Sequence, residues 1–257
     1  MKALLKYVIG KLGYRVLRLD SAVGRRADMP VELAAADAAI VEHVLSRELT
    51  MVSRERLFAT AMACRHVISQ RIAGDFVECG VWRGGNALIA ADAFAREGAG
   101  RSVYLFDTFS GMTRPTPVDV RARDGRDAMA DFAALQKDTH NEWCYASLAD
   151  VRRNFADANL LGPSIRFVEG DVVDSLEQEA NLPRAIAVLR LDTDWYESTR
   201  AELETLYPRL VPGGALILDD YGHWGGARKA VDEYFSDRPK PMLQYTDYTG
   251  RMGVKPL

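Results

Sequence analysis

The sequence predicts an α/β fold, an open and mostly parallel sheet closed at its C-terminal edge by an antiparallel hairpin, and three observations predict it. Two apolar runs, Leu189-Arg190-Leu191 and Leu216-Ile217-Leu218, have the composition of buried parallel strands, and each ends in carboxylates. Between them, residues 197–210 read as a helix followed by the turn Pro212-Gly213-Gly214, so a right-handed crossover sets the two strands side by side or nearly so. Upstream, from Phe76, the same alternation of strand, turn and helix begins, while residues 242–254 alternate and turn at Thr249-Gly250 as a hairpin does.

The whole chain sets bounds on this fold. Its 257 residues, 48% hydrophobic and 27% charged, suit one soluble domain spanning residues 1–257, with enough length to bury a sizeable core. A net charge of -3 gives no reason to expect a nucleic-acid partner. Cys64, Cys79 and Cys144 are odd in number and widely spaced, which makes neither a disulfide framework nor a zinc pattern and points to a reducing cytoplasm. Near the start, Leu4, Leu5, Val8 and Leu12 form a helical stripe, but Lys6 and Lys11 break the apolar run. No segment reaches membrane-spanning length, so a subunit contact or packed surface helix is preferred to a membrane anchor.

Taken in order, Asp28 and Pro30 look like a cap and first-turn pair for a helix over 31–47, and Ser53 can cap a second over 54–70. Residues 1–70 thus form a helical cover that packs on the sheet or builds a homodimer or higher homo-oligomer. A strand over 74–81 runs into Trp82-Arg83-Gly84-Gly85-Asn86 and an Ala-rich helix. That layout lets a ligand's polar tail approach bare backbone and a helix N-terminus, although the glycine spacing is not G-x-G-x-x-G. The next strand, 102–106, ends at Asp107. An acid there, about 20 residues past the glycines, bonds a ribose in many nucleotide sites; its alternative is to cap Thr108-Phe109-Ser110-Gly111. Residues 113–145 read as an inserted lid, partly helical around 127–137, with His140, Trp143 and Tyr145 near its end. The rhythm then resumes with a helix over 147–159, a strand over 164–169, a short helix over 174–180, a strand over 185–191, a strand over 215–218 and a helix over 227–235.

The chemistry concentrates at strand ends. Asp192, Asp194, Asp219 and Asp220 converge on one rim of the sheet, where ligands of open α/β sheets bind. Like charges that close raise one another's pKa values unless a cation neutralises them. With no Cys or His cluster beside them, these hard oxygen donors suit Mg²⁺ or Ca²⁺ better than Zn²⁺. His223 stands beside them either as a base or as a hydrogen-bonding loop residue.

Four motifs, Phe76-Val77-Glu78-Cys79-Gly80-Val81-Trp82-Arg83-Gly84-Gly85, Phe106-Asp107-Thr108-Phe109-Ser110-Gly111-Met112, Leu191-Asp192-Thr193-Asp194 with Tyr196-Glu197-Ser198-Thr199, and Asp219-Asp220-Tyr221-Gly222-His223-Trp224, resemble the macrocin O-methyltransferase family. The resemblance runs from about Thr50 to Val254. It implies a Rossmann-like class I methyltransferase with a seven-stranded sheet, acting with S-adenosylmethionine and Mg²⁺ on a sugar hydroxyl of a small-molecule glycoside such as a macrolide or aminocoumarin antibiotic. It assigns Glu78, Gly80, Val81 and Trp82 to the methionine end of the cofactor, Asp107, Thr108 and Ser110 to the ribose region, and Asp171 to adenine. Thr50 and Met51 fall where the family's front loop touches the cofactor. Asp192, Asp219 and Asp220 match its metal ligands and Asp194 its general base, with His223 the next candidate for that role. Two other substrates stay open: Asp192-Thr193-Asp194 is also the D-x-D of metal-dependent nucleotide-sugar glycosyltransferases, and aromatic diols suit the same metal logic.

Overall fold

A computed structural model describes residues 29–98 and 100–257. The Leu4, Leu5, Val8, Leu12 stripe and the cap Asp28 lie outside the described residues. Ala35–Leu257 form one compact unit. Before it, Leu33 N donates to the Pro30 carbonyl at 3.0 Å, so residues 30–33 make a turn where the sequence predicts the first turn of a helix.

The helices and strands alternate through the unit: α1 (Ala35–Ser46), α2 (Arg54–Ser69), β1 (Asp75–Cys79), α3 (Gly85–Glu97), β2 (Val103–Asp107), α4 (Ala128–Leu135), α5 (Leu148–Asp157), β3 (Ile165–Glu169), α6 (Val172–Ser175), β4 (Ile186–Leu191), α7 (Tyr196–Leu206), β5 (Leu210–Leu218), α8 (Gly225–Tyr234), β6 (Gln244–Tyr245) and β7 (Arg251–Val254). Capping residues start several helices: the side chains of Ser53, Asp127, Ser147 and Asp171 each accept a backbone N–H of the first turn. All six residues of β4 are buried, as a strand covered on both faces requires.

The seven strands lie in the order β3-β2-β1-β4-β5-β7-β6. The first five are parallel, and β7 returns antiparallel against β5, which is the predicted hairpin edge. Chain direction across the sheet reverses between β1 and β4, and that switch point opens a crevice at the carboxyl ends of the strands. Leu189, Leu191, Leu216 and Leu218 from the central strands pack with Leu203 and Leu206 of α7 in the core.

Several boundaries differ from the sequence expectation, among them the short helix expected over 174–180, which is instead α6 and a separate 3₁₀ turn, Glu179–Asn181. The helix after Asp194 stops at Leu206 and continues as a 3₁₀ turn, Tyr207–Arg209, because Pro208 cannot donate the next helical hydrogen bond. Strand β5 starts at Leu210, ahead of Pro212-Gly213-Gly214: its register to β4 jumps from Ile186↔Leu210 to Val188↔Ala215, so the predicted turn is a bulge inside the strand. Among the described residues, no helix is long and apolar enough to cross a membrane.

The insertion over 113–145 is pinned to the rest of the unit. Asp119, fully buried, accepts Tyr196 N at 2.8 Å through one oxygen and Thr116 N at 2.7 Å and Oγ1 at 2.8 Å through the other. It thereby caps α7, whose own N-cap residue Trp195 supplies no side-chain bond. A side chain at Gly226 would collide with the same Asp119 oxygen. Trp143 of the insertion packs on Trp195 and Trp224 with ring centroids 5.7 and 6.0 Å apart, and Trp195 Nε1 donates to the Thr113 carbonyl at 2.9 Å. Removing a buried acceptor of three donors leaves them unsatisfied. Asp119→Ala is therefore expected to lower stability by about 2–3 kcal/mol, read as a fall in the urea midpoint at unchanged slope.

Candidate active site

Asparagine-free and almost wholly apolar, β4 nonetheless carries Arg190, whose side chain is 1% exposed. A buried guanidinium must be paired, and the neighbouring strand ends supply the partners. Its Nη1 donates to Glu78 Oε1 and to Asp192 Oδ2, both at 2.7 Å, and its Nη2 donates to Asp219 Oδ1. The second oxygen of Asp219 accepts from Arg56 Nη1 in the first turn of α2. Arg56 Nε also lies 3.0 Å from Asp247 Oδ2, an oxygen that takes the Ser53 hydroxyl at 2.6 Å. One continuous ion network thus joins β1, β4, the end of β5, α2 and the turn before β7.

At Asp192 that network gives way to acid with no cationic partner of its own among the described residues, in Asp194 and Asp220. Asp192, Asp194 and Asp220 each offer an oxygen within 4.8 Å of the others, and Asp220 Oδ2 is buried with no hydrogen-bond partner. Burial lifts Asp192 and Asp220 well above the usual carboxylate range, and their acidic neighbours add to it. Asp194 is pushed up to about 7, first by burial and then by Asp192 and Asp219, against hydrogen bonds to Asp220 and Trp224. Its backbone is left-handed, φ 68°, a conformation Asp tolerates better than most residues. The preceding Thr193 is held from below: its hydroxyl lies 2.7 Å from Glu202 Oε1 and 2.8 Å from Ser198 Oγ. Glu202 is fully buried on α7, and burial raises it to about 8.

The other half of the cleft is backbone shaped by Asp107. That carboxylate accepts Val81 N at 2.6 Å, Trp82 N at 3.0 Å and Phe109 N at 2.7 Å, and both Trp82 (φ 47°) and Phe109 (φ 49°) are left-handed. Asp107 therefore caps both turns, and a carboxylate with three bonds keeps a lone pair for a ligand. Gly80 has φ 81°, and any side chain there would meet the Asp192 carbonyl.

These parts enclose one cleft of about 320 Å³. Met51, Gly80, Trp82, Asp107, Thr108 and Asp171 line it on one side; Asp192, Asp194, Asp219, Asp220 and His223 line it on the other, with Trp143, Trp224 and Tyr248. Thr50, Glu78, Val81 and Ser110 do not line it. Thr50 bonds Val52 N at 3.2 Å, Glu78 points to Arg190, Val81 is buried, and the Ser110 carbonyl takes Asn141 N at 2.8 Å. Glu78 Oε2 is nevertheless buried without a partner, and burial holds this acid up to about 7 against the pull of Arg190. Asp219 lies at the cleft but outside the tight acid group, because both its oxygens are already engaged. His223 Nδ1 sits 3.0 Å from the Tyr248 hydroxyl, and burial, with Arg121 and Arg56, lowers its pKa.

Comparison with known proteins assigns the scaffold. Residues 32–250 match the family described as Macrocin-O-methyltransferase (TylF). The chain is 34% identical over 233 residues to 8-demethyl-8-(2,3-dimethoxy-alpha-L-rhamnosyl)-tetracenomycin-C 4'-O-methyltransferase of Streptomyces olivaceus, covering 90% of this chain and 82% of that protein. It is 36% identical over 190 residues to demethyldecarbamoylnovobiocin O-methyltransferase of Streptomyces niveus, covering 72% and 67%. Among solved structures, the O-methyltransferase NovP superposes with a TM-score of 0.69 at 33% identity, covering 81% of this chain and 82% of that one.

The buried acids carry a pH signature. Glu78 and Asp194 hold protons up to about 7 and Glu202 up to about 8, whereas an unfolded chain releases them near pH 4. Between those limits the folded state binds more protons, so stability falls as pH rises. The metal-free protein should melt at lower temperature at pH 8 than at pH 5.5. Added Mg²⁺ should recover more at pH 8, where the carboxylates are open to it; differential scanning fluorimetry at both pH values reads this out.

Proposed function

The chain belongs to the macrocin O-methyltransferase family, and we propose that it carries a methyl group from S-adenosylmethionine to a sugar hydroxyl of a glycosylated natural product, such as a macrolide or aminocoumarin antibiotic, with Mg²⁺ held by the strand-end aspartates. One observation carries the reading: three carboxylates meet within 4.8 Å, and Asp220 Oδ2 among them is buried without a donor. Oxygen donors alone, with no Cys or His in the group, suit a hard divalent ion. The sugar assignment is supported by the relative from Streptomyces olivaceus, whose name places its reaction on a rhamnosyl tetracenomycin.

When bound, the sulfonium cofactor supplies an electrophilic methyl group, and the divalent ion supplies the charge that lowers the pKa of a neighbouring hydroxyl. The protein's own residues supply position and proton transfer. Asp192 and Asp220 would hold the ion, with Asp219 the third ligand by resemblance. Asp194, raised to about 7, takes the proton of the reacting hydroxyl, since a base is most effective when its pKa lies near the working pH. Its left-handed backbone turns that carboxylate toward Asp220 and the acid group. His223 and Tyr248, bonded to each other, orient the acceptor at the rim.

On the cofactor side, Gly80 and Trp82 face the methionine end from the cleft wall, with Glu78 and Val81 behind them. Asp107, Thr108 and Ser110 serve the ribose, and Asp171 at the start of α6 serves adenine, where Gly170 has open space around it. Thr50 and Met51 close the front. Trp143 and Trp224 give a sugar ring an apolar wall that excludes water. Family membership answers the D-x-D glycosyltransferase alternative: Asp192-Thr193-Asp194 belongs to a methyltransferase scaffold.

Calorimetric titration tests this reading directly. S-adenosylhomocysteine should bind, and a vicinal-diol glycoside should bind only when Mg²⁺ is present; metal-dependent binding of a catechol in its place would move the acceptor to aromatic diols. Binding of a nucleotide diphosphate sugar without S-adenosylhomocysteine would sink the proposal. Asp194→Asn should keep cofactor binding while turnover falls by roughly 10²–10⁴-fold, the usual contribution of a positioned base. Near-normal turnover would transfer the base role to His223.

A further inference from the structure

The two arginines on Asp219 are not equivalent. Arg190 is 1% exposed and bonded to Glu78 and Asp192 as well, so it has nowhere to go. Arg56 is 14% exposed, lines the cleft and reaches in from the first turn of α2. Its other partner, Asp247, does not depend on it, since the Ser53 hydroxyl at 2.6 Å, Thr249 N at 2.9 Å and Gly250 N at 2.7 Å satisfy that carboxylate. Arg56 meanwhile occupies the one oxygen of Asp219 that Arg190 leaves free, in a cleft that Asp219 shares with Asp220, whose buried Oδ2 has no partner. Burial works against its charge, but Asp219, Asp192 and Asp247 outweigh that cost and hold it cationic. Five acids (Glu78, Asp192, Asp194, Asp219 and Asp220) therefore stand around two guanidinium groups, of which only Arg190 is enclosed.

We propose that Arg56 is the built-in counter-cation of the site, occupying Asp219 in the ion-free protein and releasing it to an incoming divalent cation, so that ion loading also unties the first turn of α2 from the end of β5. The inference rests on the metal reading above and adds to it a residue that competes with the ion. A guanidinium and a divalent ion drawn to one carboxylate oxygen repel each other at close range, so the presence of one weakens the hold of the other. Arg56 thus sets how readily the site loads, and it makes the helical cover responsive to the ion.

The test uses Mn²⁺ as the probe, its unbound fraction followed by electron paramagnetic resonance, on the full chain and on Arg56→Gln, Asp219→Asn and the double variant. Arg56→Gln should bind Mn²⁺ about tenfold more tightly, the order expected when one largely buried charge-assisted hydrogen bond no longer competes. In the Asp219→Asn background that gain should vanish, because the competition runs through Asp219. An equal gain in both backgrounds would mean that only the local field has changed, and unchanged or weaker binding by Arg56→Gln would mean no competition; either overturns the proposal while leaving the metal reading intact. Absence of Mn²⁺ binding in the full chain and in Arg56→Gln alike would remove the metal reading and this inference together. If Asp219→Asn fails to fold, amide exchange of the unaltered protein decides: faster exchange over 53–58 on adding Mn²⁺ supports release of Arg56, and unchanged or slower exchange overturns it.

Discussion

Everything at the catalytic end of the sheet depends on how one buried guanidinium is paid for. Arg190 sits on the central strand pair, where desolvation alone would expel a charge, and it is retained by carboxylates from β1, the tip of β4 and the end of β5. Those bonds hold three strand ends at one level, matched by the registers Cys79↔Leu191 and Leu191↔Leu218. The backbone ladder continues one step further, through Asp192 N to the Cys79 carbonyl and Asp219 N to the Leu191 carbonyl, both at 2.9 Å. Acids that have no share in neutralising arginine are thereby left facing the cleft, in fixed positions and at raised pKa.

The opposite wall is just as firmly set. An insertion over 113–145 invites description as a moving lid, yet here a fully buried aspartate near its start caps α7 and a tryptophan near its end packs against two others. The helix so capped begins directly after Asp194 and Trp195, so the insertion and the acid-bearing loop are one mechanical piece. Glu202 reinforces that piece from the core side through Thr193. Room for different acceptors must then come from the cleft's rim, where Met51 and Tyr248 are exposed, rather than from hinging of the wall.

Much of this was legible in the chain because it is local. Strand composition, cap residues and the glycine turn each act within a few residues, and they located the parallel strands, the crossover and the acids at its ends. Errors arose where a local signal had a non-local outcome: Pro212-Gly213-Gly214 looks like a turn but is absorbed as a bulge because β4 offers partners on both sides of it. The site's cations were invisible for the same reason. Arg56 and Asp219 stand 163 positions apart and Asp119 and Tyr196 stand 77 apart, and no spacing rule joins such pairs. Arg190 carried a local signal that the reading of the strand as merely apolar passed over. A lone arginine inside an apolar strand, two residues before an aspartate, announces that strand ends nearby must carry buried acid.

The aspartate doublet shows how a strand end divides labour between neighbours. Asp192 and Asp194 lie past the last residue of β4, and a left-handed turn at Asp194 (φ 68°) sets the direction of the second. Both bring an oxygen into the same acid group. Asp219 and Asp220 do not present themselves identically: the structure gives the first to the arginines and leaves the second facing Asp192 and Asp194. A doublet at a strand end is thus read as one structural acid and one free acid until something displaces the arginine. In this chain the more exposed of the two arginines on Asp219 belongs to α2, so the proposed competition ties the state of Asp219 to a helix that has no part in the sheet.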